Sequence, residues 1–142
     1  MHKYLSGCIM NRKKERELAF CLIFEKMFSE EDLEGILQLA SLNRDFTVTE
    51  YIEKVFYGVY ENLSTIDSLI ESNLSKKWTV NRITKTSLAI LRLAVYEILY
   101  MDDIPNGVSV NEAVELTKEY GAENDYAFVN AVLSKVINEK KD

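Results

Sequence analysis

A fourteen-residue apolar stretch, Leu88–Met101, constrains the fold of this chain more than any other part of the sequence. Arg92 and Glu97 are its only charged residues, and apolar side chains would lie on nearly every side of the helix that it predicts. A helix of that kind is normally buried among other elements. The stretch is too short to cross a bilayer, which needs about 20 residues. We therefore predict that it forms the central helix of a soluble helical domain.

The rest of the sequence also favours helices. One Pro and five Gly among 142 residues disfavour a many-stranded architecture, and an apolar share of 47% can supply a sizeable core. The spacing of apolar residues predicts about seven helices and no strand, which is an all-α fold. Residues 1–10 show no convincing periodicity, and we expect a disordered extension or a misassigned start there. Residues 11–142 are expected to form a single domain.

Several short patterns predict where helices begin. A capping box has a Ser or Thr at the helix start and an acidic or amide residue three positions later. Three segments resemble it: Ser29–Asp32, Thr47–Glu50 and Ser109–Glu112. A further helix is predicted to open at Ser64–Asp67. The strongest turn signal is Asp102–Gly107, in which Pro105 fixes its own φ and the Asn-Gly pair tolerates positive φ.

Charge is distributed unevenly along the chain. The net charge is −6, yet residues 1–16 contain five basic residues and one acidic residue, which leaves 12 basic and 22 acidic residues in the remainder. Such a cationic end on an acidic body can localise an anionic partner. Arg12, Lys13 and Arg16 lie at the amino end of the first predicted helix, where cations oppose the helix dipole. Either solvation of a frayed turn or an external anion would explain them, and the sequence alone leaves both open.

The sequence has none of the usual motifs for catalysis or for binding a cofactor or metal. It contains no GxxxxGK[ST] or GxGxxG phosphate loop and no nucleophile signature. One histidine, His2, and two cysteines, Cys8 and Cys21, do not supply a zinc ligand cluster. We expect no catalytic residue, metal or cofactor. An enzyme built on carboxylates alone stays formally open, although nothing selects a pair.

Three further features bear on location and contacts. Cys21 lies in an apolar run and is expected to be a reduced core thiol rather than half of a disulfide. The amino end has no sustained apolar segment, so we expect no signal peptide, and the cytoplasm is the default location. The segment Lys76-Lys-Trp78 would suit nucleic acid by charge and stacking. A Trp that caps the core between two helical units is the favoured interpretation.

Several segments together resemble the NusB family of bacterial transcription antitermination factors. The resemblance covers about residues 11–138, in order and at matching spacings. The segments that carry it are Ile90–Tyr100, Asp103–Pro105, Val110–Gly121, Phe128–Leu133 and the basic Arg12–Ala19.

The resemblance implies an all-helical domain of two packed sub-bundles and a function without catalysis or cofactor. Members of the family bind boxA-type single-stranded RNA together with NusE, a small-subunit ribosomal protein, and help RNA polymerase resist termination in ribosomal RNA operons. The expected partners are therefore boxA-type RNA, NusE and, indirectly, the RNA polymerase elongation complex. The family includes monomers and dimers, so a homodimer stays open.

By position, the resemblance also implies an RNA-binding site. Basic residues that meet phosphate and aromatic residues near the RNA match Arg12, Lys13, Lys14, Arg16, Phe24 and Phe128. Single-stranded RNA is commonly held by cationic contacts to phosphate and by stacking of bases on aromatic rings. A core role for Phe128 is equally open, because an aromatic at its helical position often packs inward.

The chain departs from the family pattern in three places. Lys13 and Lys14 stand where arginines are common, which keeps the charge but loses bidentate phosphate geometry. Ala131 replaces a usual glycine, and Glu123–Tyr126 lacks part of the common acidic-serine pattern. RNA contacts from that last segment are therefore not expected with the same strength.

The main alternative is a non-enzymatic protein–protein module, related to the NusB-like regulatory domain of some ribosomal-RNA methyltransferases. Since the sequence ends at Asp142, we expect such a module to need a separate partner.

Overall fold

The computed structural model describes residues 10–43, 46–75 and 79–140. Within these ranges the chain forms seven α-helices, one short 3₁₀ turn at Val80–Arg82 and no strand. The helices are α1 (Arg12–Lys26), α2 (Leu33–Ser41), α3 (Glu50–Glu61), α4 (Leu63–Ser72), α5 (Lys85–Tyr100), α6 (Asn106–Tyr120) and α7 (Asp125–Lys140). The all-helical prediction is confirmed.

The helix that contains the apolar stretch lies at the centre, as predicted. Every residue of α5 from Ser87 to Ile98 is buried. Helices α1, α2 and α3 pack together as one group, and α4, α6 and α7 pack around α5 as a second. Because α5 also contacts α1 and α3, it belongs to both sub-bundles and joins them through one hydrophobic core.

Polar caps begin four of the helices. Asn11, Asp32, Thr49 and Thr84 each accept a backbone N–H bond from the first turn that follows. The predicted caps at Ser29 and Thr47 are three and two residues early, since the capping side chains belong to Asp32 and Thr49. Both of these side chains satisfy N–H groups that the helix cannot pair internally.

The first charge within the apolar stretch, Arg92, is held by a neighbouring helix. Its Nε and Nη2 donate to the two carboxylate oxygens of Asp67 at 2.9 and 2.8 Å. The helix predicted to open at Ser64–Asp67 is confirmed, since α4 begins at Leu63, but Asp67 binds Arg92 of α5 and does not cap the helix. A bidentate pair of this kind fixes orientation as well as distance.

The second charge, Glu97, is buried and connects four helices. Its carboxylate accepts hydrogen bonds from Arg16 Nε of α1 at 2.8 Å, from the Tyr51 hydroxyl of α3, and from Ser109 Oγ of α6 at 2.7 Å. Glu97 is only 1% exposed. We call Glu97, Arg16, Tyr51 and Ser109 the Glu97 cluster.

The Glu97 cluster also corrects the predicted start of α6. Ser109 lies inside the helix, which begins at Asn106 after Pro105 without a side-chain cap. The capping box predicted at Ser109–Glu112 is therefore wrong. The predicted turn at Asp102–Gly107 is too long, because Asn106 and Gly107 already belong to α6. The turn itself ends at Ile104. Among the described residues other than glycine, positive φ occurs at Asn124, in the connection before α7.

The remaining predictions concern Cys21, the amino end of the chain and the segment Lys76–Trp78. Cys21 is a free thiol, but it is exposed rather than part of the core. The first nine residues and the segment Lys76–Trp78 lie outside the described residues, so their predictions stay predictions. Within the described ranges, no helix combines the length and apolar character that a membrane span requires.

Replacing Glu97 by Gln should lower the free energy of unfolding by roughly 3 kcal/mol, because Arg16 would stay buried without its counter-charge. Urea denaturation measures this change. The matched control is Glu115→Gln, which breaks an exposed pair with Lys118 at 3.6 Å and should change stability by about 0.5 kcal/mol or less. Equal effects of the two substitutions would contradict the structural role of Glu97.

Candidate nucleic-acid interface

The structure brings three of the four predicted basic residues together on the first turn of α1. Arg12, Lys13 and Lys14 are exposed there, with Asn11 capping the helix through a 2.8 Å bond from the Lys14 N–H. Their side chains are 42, 69 and 52% exposed. The Arg12 guanidinium also lies over the Tyr51 ring, 4.3 Å from its centre. This turn can present cationic groups to a ligand.

Each of these three cations is paired with a carboxylate. Arg12 Nε lies 3.0 Å from Glu15, Lys14 Nζ lies 3.0 Å from Glu17, and Lys13 Nζ lies 3.4 Å from Glu112 of α6. The first two pairs have a spacing of three residues and can be inferred from sequence. The pair with Glu112 spans 99 positions and cannot. Exposed pairs of this type are weak, so an incoming phosphate can replace the carboxylates.

The fourth predicted residue, Arg16, points into the protein. It is 6% exposed, and its Nε donates to Glu97 within the Glu97 cluster. Burial alone would lower the pKa of Arg16, but the hydrogen bond and charge of Glu97 raise it above its usual value, so the guanidinium stays charged. Arg16 is therefore neutralised by the buried carboxylate of Glu97. The sequence does not indicate this pairing.

A groove lies between α1 and α6 beside the basic turn. It encloses about 310 Å³ and is lined on the α1 side by Lys13, Lys14 and Glu17, and on the α6 side by Glu112, Glu115 and Glu119. Its walls thus combine both signs of charge. The basic side chains reach solvent at its rim.

Phe24 lies on an aromatic strip that continues from the basic turn. Lys13 and Phe24 are eleven residues apart, which places them on the same side of α1. The centre of the Phe24 ring lies 6.0 Å from that of Phe20 and 5.0 Å from that of Phe28. The Phe20 and Tyr120 ring centres are 5.1 Å apart, and Tyr120 belongs to α6. We call Phe20, Phe24, Phe28 and Tyr120 the aromatic strip. Phe24 is half-buried and Phe28 is 65% exposed, so the strip offers ring surface to a partner.

Tyr120 ties this strip to the basic turn through Glu17. Its hydroxyl donates to Glu17 Oε2 at 2.6 Å, while Lys14 donates to the other oxygen. The Tyr120 hydroxyl and Lys14 both lower the pKa of Glu17 below its usual 4.5. Tyr120 was not identified from sequence, since its only signal was its place before Gly121 at the end of α6.

Phe128 belongs to a different part of the surface. It is half-buried on α7 and lines a cavity of about 180 Å³ together with Ile83, Thr84, Ser87 and Asp125. This cavity lies at the amino end of α5. The structure therefore places Phe128 at an opening and not wholly in the core, on a different helix from the basic turn.

No group of three or more His, Cys, Asp or Glu side chains that could hold a metal ion occurs among the residues described by the structure.

Comparison with known proteins gives one consistent result. The model of the NusB family matches residues 13–138. The chain is 46% identical over 132 residues to the transcription antitermination protein NusB of Clostridium novyi, covering 90% of this chain and 98% of that relative. It is 44% identical over 135 residues to the protein of the same name from Clostridium acetobutylicum, covering 94 and 99%.

Two solved structures share the fold. The structure of NusB from T. maritima matches with a TM-score of 0.81 and 38% identity, covering 92% of each chain. A crystal structure of the antitermination factors NusB and NusE in complex with dsRNA matches with a TM-score of 0.80 and 26% identity, covering 90% of this chain and 96% of that one.

The bond between Tyr120 and Glu17 should be visible in the pH dependence of the protein. A carboxyl group with a depressed pKa stabilises the fold above its unfolded pKa, near 4.5, and this contribution is lost as the pH falls through the folded value. In Tyr120→Phe, the pKa of Glu17 should rise, which we would measure by an NMR titration of the Glu17 carboxyl carbon. An unchanged titration midpoint would exclude the tyrosine hydroxyl as the main cause.

Proposed function

The chain belongs to the NusB family, and we propose that it is a transcription antitermination factor that binds RNA together with NusE. Its RNA would be boxA-type and single-stranded, and the complex would help RNA polymerase resist termination in ribosomal RNA operons. The observation that carries the proposal is the exposed basic turn of α1, with Phe20 and Phe24 of the aromatic strip continuing from it on the same helix. This function places the protein in the cytoplasm, where nascent bacterial RNA is made.

In this proposal, Arg12, Lys13 and Lys14 bind the phosphates of the RNA. Their ammonium and guanidinium groups are exposed, so a phosphate can reach them and replace carboxylate partners that are 14 to 23% exposed. The carboxylates of Glu15, Glu17 and Glu112 would keep the turn nearly neutral in the free protein. We assign Arg16 a positioning role, since its bond to Glu97 fixes the orientation of the turn.

The bases of the RNA would stack on the rings of the aromatic strip. Phe24 is the predicted stacking residue, and the more exposed Phe28 extends the same surface. Stacking on aromatic rings requires bases that are splayed out, and such bases belong to single strands, loops and ends. For this reason we propose single-stranded RNA as the ligand, with Phe128 as a second aromatic contact on α7.

NusE would meet the acidic body of the chain. Beyond residue 16, acidic residues outnumber basic residues by 22 to 12. Such a surface favours association with a basic ribosomal protein, because complementary potentials steer the encounter.

We also propose that this role is regulatory and involves no catalysis, because the relatives that the chain matches are antitermination factors. The alternative is a module that binds only protein, and it predicts that the chain does not bind boxA-type RNA. Binding of a boxA-type oligoribonucleotide to the full chain, with and without NusE, separates the two, and the same oligonucleotide annealed to its complement tests the requirement for a single strand.

The double variant Lys13→Ala/Lys14→Ala should bind this RNA more weakly and with less dependence on salt. The slope of log K against log salt concentration should decrease by about 0.7 for each lost phosphate contact to a single strand. Fluorescence anisotropy over a series of salt concentrations measures both quantities.

The matched control is Lys54→Ala/Lys135→Ala, which removes the same charge from exposed positions on α3 and α7. A second control, Glu112→Gln, frees Lys13 from its carboxylate and should bind at least as tightly as the unaltered chain. Equal salt slopes for the two double-lysine variants would place the RNA elsewhere.

A further inference from the structure

Tyr51 makes two different contacts at the boundary between the core and the basic turn. Its hydroxyl donates to the buried carboxylate of Glu97, and its ring lies under the guanidinium of Arg12, with 4.3 Å between the guanidinium carbon and the ring centre. Burial and the charge of Glu97 raise the pKa of Tyr51, so the hydroxyl keeps its proton and stays a donor. A side chain held by the core therefore supports an exposed cation.

A second bond fixes the first turn of α3 to α1. The Thr49 hydroxyl donates to Glu15 Oε2 at 2.5 Å, while Arg12 Nε lies 3.0 Å from Glu15 Oε1. Thr49 also caps α3 by accepting the Ile52 N–H at 3.3 Å. The start of α3 is thus held against α1 at the place where the Tyr51 ring meets the guanidinium.

The ring and an RNA phosphate would use different parts of this guanidinium. An aromatic ring binds the face of the planar group, whereas a phosphate accepts hydrogen bonds from the N–H groups at its edges. Arg12 meets Tyr51 with a face and Glu15 through Nε. A phosphate can therefore bind at an edge without displacing the ring, even where it replaces the Glu15 carboxylate.

We propose that Tyr51 is a positioning residue of the RNA site, which holds the Arg12 guanidinium in the orientation that presents its N–H edges to a phosphate. An arginine oriented before binding loses less side-chain freedom when the ligand arrives. Arg12 would therefore supply a directed contact, beside the less directional charges of Lys13 and Lys14. This inference rests on the proposed RNA-binding function and adds α3 to the helices that build the site.

The test compares two substitutions of Tyr51 in the full chain, with NusE present and binding of a boxA-type oligoribonucleotide measured by fluorescence anisotropy. Tyr51→Leu removes the ring and should weaken binding about threefold, as expected for the loss of a partly exposed cation–π contact. Tyr51→Phe keeps the ring and should bind about as tightly as the unaltered chain. The matched control is Tyr96→Leu, which removes another ring with 5% exposure from α5 and should leave the affinity unchanged.

The variant Arg12→Ala distinguishes positioning from a general effect on the fold. If Tyr51 acts through Arg12, then Tyr51→Leu should weaken binding in the unaltered background and have no further effect once Arg12 is Ala. A loss that came from a destabilised fold would be the same in both backgrounds.

The unaltered protein allows a measurement that does not require any variant to fold. Nuclear Overhauser effects between the Arg12 side chain and the Tyr51 ring protons should be present in the free protein and should persist when the RNA is bound. Their loss on addition of RNA would overturn the inference, because the guanidinium would then leave the ring in order to bind phosphate.

Three results of the binding experiment would also overturn the inference. They are equal affinities of Tyr51→Leu and Tyr96→Leu, an equal loss from Tyr51→Leu in both Arg12 backgrounds, and a loss in Tyr51→Phe as large as in Tyr51→Leu. Each would leave the proposed function intact, since the unaltered chain would still bind the RNA. Absence of RNA binding by the unaltered chain would instead refute the proposed function, and this inference with it.

Discussion

The buried carboxylate of Glu97 is the constraint on which the arrangement of these helices depends. An ionised group with 1% exposure is costly unless hydrogen bonds and a counter-charge compensate for the lost water. Three donors provide this compensation, one each from α1, α3 and α6. Because each donor comes from a different helix, the carboxylate can be satisfied only when all three helices lie correctly around α5. The apolar surfaces supply the driving force for packing, and the Glu97 cluster restricts which packing is acceptable.

The same cluster separates the basic residues of α1 into one buried cation and three exposed cations. Arg16 is directed inward and joins α1 to the core, whereas Arg12, Lys13 and Lys14 remain at the surface within the same turn and a half of helix. The position of the exposed cations is therefore set by a buried contact a few ångströms away. In the proposed function, their carboxylate partners would limit non-specific attraction, since phosphate would have to displace an existing ion pair at each site. Anion binding under these conditions depends on several contacts being made together.

Much of the fold could be predicted because it depends on local patterns. The apolar stretch at Leu88–Met101 identified the central helix, and the periodicity around it gave seven helices of nearly the right extent. Predictions failed where a local motif was overruled by a distant partner. Ser109 resembles a helix cap, but its hydroxyl donates to Glu97 of α5.

The candidate site could also be predicted where it depends on local patterns, and not where it depends on contacts between distant segments. The basic turn and Phe24 could be found from their residue types and from the family resemblance, and the ion pairs of Arg12 and Lys14 follow from their spacing. The pairing of Lys13 with Glu112 and the contact between Tyr120 and Glu17 depend on which helices become neighbours. No pattern within one segment indicates them.

The division of the basic turn into a structural cation and exposed binding cations is the central claim, and side-chain NMR tests it most directly. The Nε–Hε signal of Arg16 can be followed alongside the signals of Lys13 and Lys14 while boxA-type RNA and NusE are added. If Arg16 stays bound to Glu97, its signal should keep its position while the two lysines shift. A large shift of Arg16 with little change at the lysines would contradict the claim, since the buried arginine would then be the residue that meets the RNA.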